Sequence, residues 1–183
     1  MFADLNCSVP SLYQQARELG WTEIRTSIVQ SLASQQDLDK LKEKKKFASV
    51  PATVESQNPD LLRLAAKKDF VDLINPLLVP GFERDDGLVQ IVADEKKVFE
   101  IPVAPILHSR HVFRAKLLNQ LAAFIKLCRK LDAHFVFTSR AQEIYDLKSP
   151  RETMAIASLL GLNREQAKFA ISEAAKKVLD DEK

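Results

Sequence analysis

Short apolar runs alternate with amphipathic segments along the whole chain. Residues 2–6, 23–28, 47–54, 70–74, 98–103 and 134–138 are rich in β-branched and aromatic side chains, and they predict six strands. Pro51 places the third at a bend or an edge. The stretches between them carry helical signals. Residues 10–19 follow two candidate caps, Ser8 and Ser11, and stop at Gly20. Residues 31–46 are polar and lysine-rich, a helix or a solvated loop. Asn58-Pro59 opens a helix through Leu61, Leu62, Leu64 and Ala65. Residues 87–97 repeat at Leu88, Ile91 and Val92. The clearest helix runs from about 110 to 131. Phe113, Leu117, Leu121, Phe124, Cys128 and Leu131 share one stripe, with Lys116, Lys126, Arg129 and Lys130 opposite. Ser149-Pro150-Arg151-Glu152 combines a cap, a proline at the first helical position and the acid of a capping box. That helix stops at Gly161, and Asn163 caps a last one over residues 164–178.

Strands that alternate with helices predict a parallel sheet, either doubly wound or closed. Neither GxGxxG nor GxxxxGK[ST] occurs, which argues against a Rossmann or P-loop nucleotide site. The expected fold class is therefore α/β, a single TIM-barrel-like (β/α) barrel spanning residues 1–183, imperfect or shortened because 183 residues is short for eight full units.

Composition narrows the class. The chain is 46% apolar with only 4 glycines, enough for a real core and unlike a disordered protein. The net charge of +2 says little, but its distribution says more. Residues 108–151 hold nine Lys and Arg against Asp132, Glu143 and Asp146, so the remainder is net acidic. Cys7 and Cys128 stand alone, which excludes a disulfide scaffold and a cysteine-based zinc site. No apolar run reaches membrane-spanning length and no basic leader precedes an apolar core, so a cytoplasmic protein is expected.

The candidate chemistry is sparse. His108 and His111 are three apart and could share a helical face, but no HxH or HExxH accompanies them or His134. Asp4 and Asn6 could face one side of the first strand, more simply as a structural polar pair. Arg110 and Arg114 begin the long helix, where cations oppose the macrodipole. In a barrel that helix start lies on the rim at the strand C-termini, with Arg140 after the sixth strand and Arg151 beside the Ser149 cap. The alternatives are an anion-binding rim, which arginine forks suit, and surface arginines paired with Glu143, Asp146 and Glu152. Lys42, Lys44, Lys45 and Lys46 read as a solvated, mobile segment, less important for polyanion binding than the rim. The Gly161–Asn163 junction mimics a helix-turn-helix but more simply closes the domain.

The C-terminal stretch adds a resemblance. Thr138-Ser139-Arg140-Ala141 ends a strand, Asp146-Leu147-Lys148-Ser149-Pro150-Arg151 forms a turn, Leu160-Gly161 ends a helix, and Gln166-Ala167-Lys168 lies on the next. Together these resemble the archaeal ribonuclease P protein component 3 family, relatives of the thirty-kilodalton subunit of nuclear ribonuclease P. The match is most specific from about 134 to 172. It implies a TIM-like barrel related to polymerase and histidinol phosphatase-type barrels. It also implies a part in removing the 5′ leader of precursor tRNA, with catalysis by the RNA subunit, which uses Mg2+. The protein itself would carry no active site and no cofactor, and would pair with component 2. Lys168 joins Arg110, Arg114, Arg140 and Arg151 as a candidate RNA contact on the Gln-Ala-Lys match. The metal-dependent relatives carry His-x-His at the end of strand one, where this chain reads Asp4-Leu5-Asn6. A metal-dependent phosphoesterase on the same barrel and a protein-binding scaffold are the rival readings.

Overall fold

The computed structural model describes residues 1–180. In chain order the elements are β1 (Ala3–Asp4), α1 (Tyr13–Glu18), β2 (Glu23–Ile24), β3 (Ile28–Ser31), α2 (Gln35–Lys45), β4 (Ala52–Glu55), α3 (Pro59–Ala66), β5 (Leu73–Asn75), α4 (Asp86–Asp94), β6 (Val98–Pro102), α5 (Ala104–His108), α6 (His111–Lys130), β7 (His134–Thr138), α7 (Pro150–Leu159), α8 (Arg164–Ala170) and α9 (Glu173–Asp180). Every strand pair is parallel, β1 with β2 and then β3-β4-β5-β6-β7 in sequence order.

The sheet closes on itself. Past the end of β7, the Arg140 N–H donates to the Asn6 carbonyl (2.8 Å), and the Ser8 N–H donates to the Ala141 carbonyl (3.2 Å). The product is a TIM-barrel-like (β/α) barrel with six strand positions, the second split between β2 and β3. At the split, the Ser27 hydroxyl donates to the carbonyl of Leu5 just past β1 (2.6 Å), between the piece that pairs with β1 and the piece that pairs with β4.

Alternation along the strands sorts side chains into two layers. Phe99, Ile101, Phe135 and Phe137 face outward into the core beneath the helices, where Phe124 of α6 packs edge-on against Phe99 (centroids 4.9 Å apart). Ala3, Leu5, Leu73, Val98 and Val136 face inward at the strand N-terminal end. Ala174, Ala175 and Val178 of α9 pack against them and seal the barrel floor. The last helix is therefore not the continuous 164–178 rod that the pattern predicts. It breaks at Ile171-Ser172, where the Ala3 N–H takes the Ile171 carbonyl (2.9 Å), and the second half turns beneath the strands.

Three other expectations need correction. Neither Ser8 nor Ser11 caps the first helix: a 3-10 turn over Pro10–Leu12 leads into α1 without a side-chain cap. Residues 47–51 are not strand, and Phe47 projects from the end of α2 with 89% of its surface exposed. The first turns of α6 overhang the barrel, so Phe113 is 79% exposed while Leu121, Phe124 and Cys128 of the same stripe are buried. The Ser149 capping box is present as the sequence predicts, with Ser149 N–H donating to Glu152 (2.8 Å) and Glu152 N–H to the Ser149 hydroxyl (3.2 Å).

Candidate nucleic-acid interface and barrel mouth

The strand C-terminal end of the barrel interior is polar. Parallel register sets Ser31, Glu55 and Asn75 at one level across β3, β4 and β5. The Ser31 hydroxyl and the Asn75 amide both donate to the Glu55 carboxylate (2.8 and 3.1 Å). Across the barrel, Glu100 of β6 is fully buried and accepts from the Thr138 hydroxyl (2.6 Å) and the Asn6 amide (2.8 Å). Arg140 spans the two halves. Its guanidinium binds Glu100 through Nε (3.1 Å) and Nη2 (2.6 Å), and Glu55 through Nη1 (2.7 Å). Its backbone adopts a left-handed φ of 45°, a strained conformation for a side chain that turns inward.

Electrostatics at the mouth follow from this geometry. Burial pushes the Glu55 carboxyl up, but the Arg140 bond and charge, with Ser31 and Asn75, outweigh it and hold the group below its usual range. Burial likewise disfavours the charged form of Arg140, and Glu100 and Glu55 more than compensate. Asp4 is raised by burial, with partial relief from Ser139 and Asn6, whose N–H groups it accepts at 3.0 and 3.2 Å.

These residues do not fit the metal centre of the phosphatase-type barrels. Strand one offers Asp4 and Asn6 in place of a histidine pair, and the carboxylates of the mouth already share a guanidinium. Among the described residues, His108, Glu143 and Asp146 bring ligand atoms within 4.8 Å of one another. Asp146 is already engaged there: it accepts from Gln142 and Glu143 N–H groups (3.0 and 3.3 Å) and pairs with His108 Nε2 (2.6 Å). His111 is outside this group, and His134 lies within 3.0 Å of the Lys177 ammonium near the barrel floor.

The expected arginine rim separates into parts. Arg140 is inside the mouth, its side chain 17% exposed and paired twice. Arg114 is exposed, but its guanidinium donates to the Leu107 carbonyl in the last turn of α5 and to the carbonyl of its C-cap Ser109 (2.8 and 2.7 Å). Its charge therefore sits at a helix C-terminus, where the dipole favours it, which removes the conflict its position in α6 suggested. The short helix α5, which the hydrophobic pattern does not predict, supplies those carbonyls. Arg110 caps α6 with extended backbone and an exposed side chain. Arg151 is exposed at the second position of α7, beside the turn that enters β2, where Trp21 Nε1 donates to the Lys148 carbonyl (2.8 Å). Lys168 is exposed on α8. The four arginines follow the C-terminal ends of β6 and β7, and Lys168 lies in the last turn of α8.

A second cationic region was not legible. Lys42, Lys45 and Lys46 at the end of α2 line a groove with Lys67 and Lys68 at the end of α3. Lys42, Lys44 and Lys45 lie in the last turn of α2, and Lys46 is its C-cap. Ser34 and Asp37 cap that helix reciprocally, and Lys45 ties its far end to Asp72 (2.7 Å). The sequence signal for the partner half was the Lys67-Lys68 pair just after the Asn58-capped helix.

A closed parallel barrel with an ion-paired mouth and cations on its outer surface defines a protein of the TIM-barrel-like (β/α) class. The family model described as RNase P subunit p30 matches residues 34–183, and the chain belongs to that family. Ribonuclease P protein component 3 of Methanosarcina mazei is 36% identical over 121 residues, which cover 64% of this chain and 49% of that protein. The Methanothermobacter thermautotrophicus protein of the same name is 26% identical over 184 residues, covering 98% of this chain and 74% of its own length. The chain spans about half the length of the Methanosarcina relatives it matches. A chain in the cryo-EM structure of archaeal ribonuclease P with mature tRNA shares the fold, with a TM-score of 0.76 at 21% identity, covering 99% of this chain and 80% of that one. No helix among the described residues is long and apolar enough to cross a membrane.

Proposed function

We propose that the chain is a protein subunit of ribonuclease P, the ribonucleoprotein endonuclease that removes the 5′ leader of precursor tRNA. The observation that carries this reading is the family match across residues 34–183. In it, catalysis belongs to the RNA subunit and its Mg2+. The protein acts as one barrel unit in the cytoplasm, pairs with protein component 2 and screens RNA phosphates, holding no cofactor of its own. The RNA contacts are Arg110, Arg151 and Lys168, whose charged ends are exposed, with Arg114 beside them where its fork is not spent on α5 carbonyls. Arg140 serves from inside as a positioning residue that holds the mouth together.

The test is reconstitution. Catalytic RNA, component 2 and precursor tRNA are combined with and without this chain, and cleavage is followed at two salt concentrations. The chain should raise cleavage, most at the lower salt, where RNA self-repulsion is least screened and phosphate contacts compete with the fewest ions. No effect at either salt, with no complex with component 2 on a sizing column, sinks the reading.

A further inference from the structure

The groove between the ends of α2 and α3 sits at the strand N-terminal end of the barrel. Each of these helices leads into a strand start, and the Asp72 carboxylate before β5 binds both Lys45 Nζ (2.7 Å) and the Ala52 N–H at the start of β4 (2.8 Å). This is the face opposite the polar mouth. Five lysines line the groove against two carboxylates, Asp39 and Asp69. Lys42 and Lys67 are exposed, and Lys68 is half-buried. Among the described residues none of these three ammonium groups has a side-chain partner. Among the described residues Lys46 pairs with exposed Glu43 (2.6 Å), a contact that costs little to exchange. The C-terminal carbonyls of two helices converge here and favour the cations. Phe47 lines the adjoining groove, which shares Lys45, Lys46 and Asp69, and it is the most exposed large apolar side chain described. Free ammonium groups in a row beside a bare aromatic face are the elements of a single-strand binding platform: charge follows the backbone, and the ring stacks a base without reading sequence.

We propose that this groove is a second RNA contact, in which Lys42, Lys46, Lys67 and Lys68 neutralise backbone phosphates and Phe47 stacks an unpaired base. The proposal rests on the ribonuclease P reading for its ligand class, and it places RNA on the end of the barrel where ligands do not usually bind. It also reverses the expected ranking of the lysine run below the arginines.

The experiment measures binding of a fluorescein-labelled, unstructured oligoadenylate of about twenty nucleotides to the full chain by anisotropy, at two salt concentrations. The triple Lys42→Ala, Lys67→Ala, Lys68→Ala variant should bind about tenfold or more weakly, with a salt slope shallower by about 0.7 for each phosphate no longer neutralised. The triple Lys→Arg variant should bind at least as tightly as the wild type. Phe47→Ala should weaken binding about tenfold with the salt slope unchanged, and Phe47→Tyr should restore it. A Lys116→Ala, Lys126→Ala, Lys130→Ala control removes the same charge from exposed positions of α6, outside the groove, and should keep the slope. If the wild type binds the probe and the groove triple binds it equally at both salts, the groove is not an RNA site, while the functional reading stands. If groove and control triples lose the same affinity and slope, only net charge matters and the inference falls. If the wild type binds neither this probe nor ribonuclease P RNA, the functional reading falls and takes the groove with it.

Discussion

The mouth and the groove both hold cations, and they hold them in opposite ways. Arg140 enters a barrel end where Glu55 and Glu100 converge, so its charge is matched, desolvated and 17% exposed. Lys42, Lys67 and Lys68 stand at helix ends without a side-chain partner among the described residues, so their charge is met mainly by water and peptide dipoles. The first arrangement fixes a fold and the second leaves charge available to a polyanion. What separates them is the count of carboxylates that the register brings to each cation. Residue type does not decide it, because an arginine, the better phosphate fork in isolation, is the one consumed internally.

The largest test of this contrast is Arg140→Met. Removing the guanidinium leaves buried Glu100 and half-buried Glu55 without their shared cation, and breaking a buried pair costs about 3–5 kcal/mol. Urea unfolding should show the midpoint falling accordingly. A loss below about 1 kcal/mol would mean that the mouth is solvated and the contrast is false. Adding Glu55→Gln and Glu100→Gln to Arg140→Met should recover much of the loss, because the uncompensated charge is gone. A triple variant no more stable than the single one would show that the cost came from packing.

The pH dependence of stability sharpens the same point. Glu55 is held below its ordinary value of 4.5 in the folded chain. A depressed carboxylate contributes stability that is fully present above its unfolded pKa and is lost as pH falls through the folded one. The unfolding midpoint should therefore drop from roughly pH 5 downward, and the Arg140→Met variant should show a flatter acid limb. An unchanged limb in that variant would place the acid-sensitive group elsewhere. Asp146, lowered against its own burial by Gln142, His108 and Glu143, is the next to examine.

The smallest expected effect completes the comparison. Lys42→Ala and Lys67→Ala should change stability by no more than about 0.5 kcal/mol, as at ordinary exposed sites. Thermal melts check this directly. A larger loss would mean that the groove lysines are structural, as Arg140 is.

Much of the architecture was readable because it is local. The run His134–Thr138 is a strand, the Ser149 box and the Asn58 cap start helices where the residues say they do, and the alternation of strand and helix implies parallel pairing. Short-range rules suffice there, since each side chain meets partners within four positions. The pattern failed where a distant group competes for a backbone atom or a pocket. Ser27 takes the Leu5 carbonyl just past β1 where the second strand splits, and the amide of Ala3 takes the Ile171 carbonyl where the last helix breaks. Phe113 satisfies the helical stripe but lies past the edge of the barrel, where there is nothing to bury it.

The sites follow the same division. That residues 108–151 are cationic, and that they match a known family, is fixed by residue identity alone. Which cations are free is a property of distances between residues far apart in the chain. Arg140 and Glu55 are 85 positions apart, Arg140 and Glu100 are 40 apart, and only the tertiary arrangement of the strands sets them within hydrogen-bond reach. Lys42 and Lys67 belong to different helices that parallel packing ends on one face. Covalent sequence determines charge and local periodicity, because both are carried by single residues and their near neighbours. Pairing and desolvation depend on the three-dimensional arrangement, because Coulomb and hydration energies change within a few ångströms that the linear order does not encode.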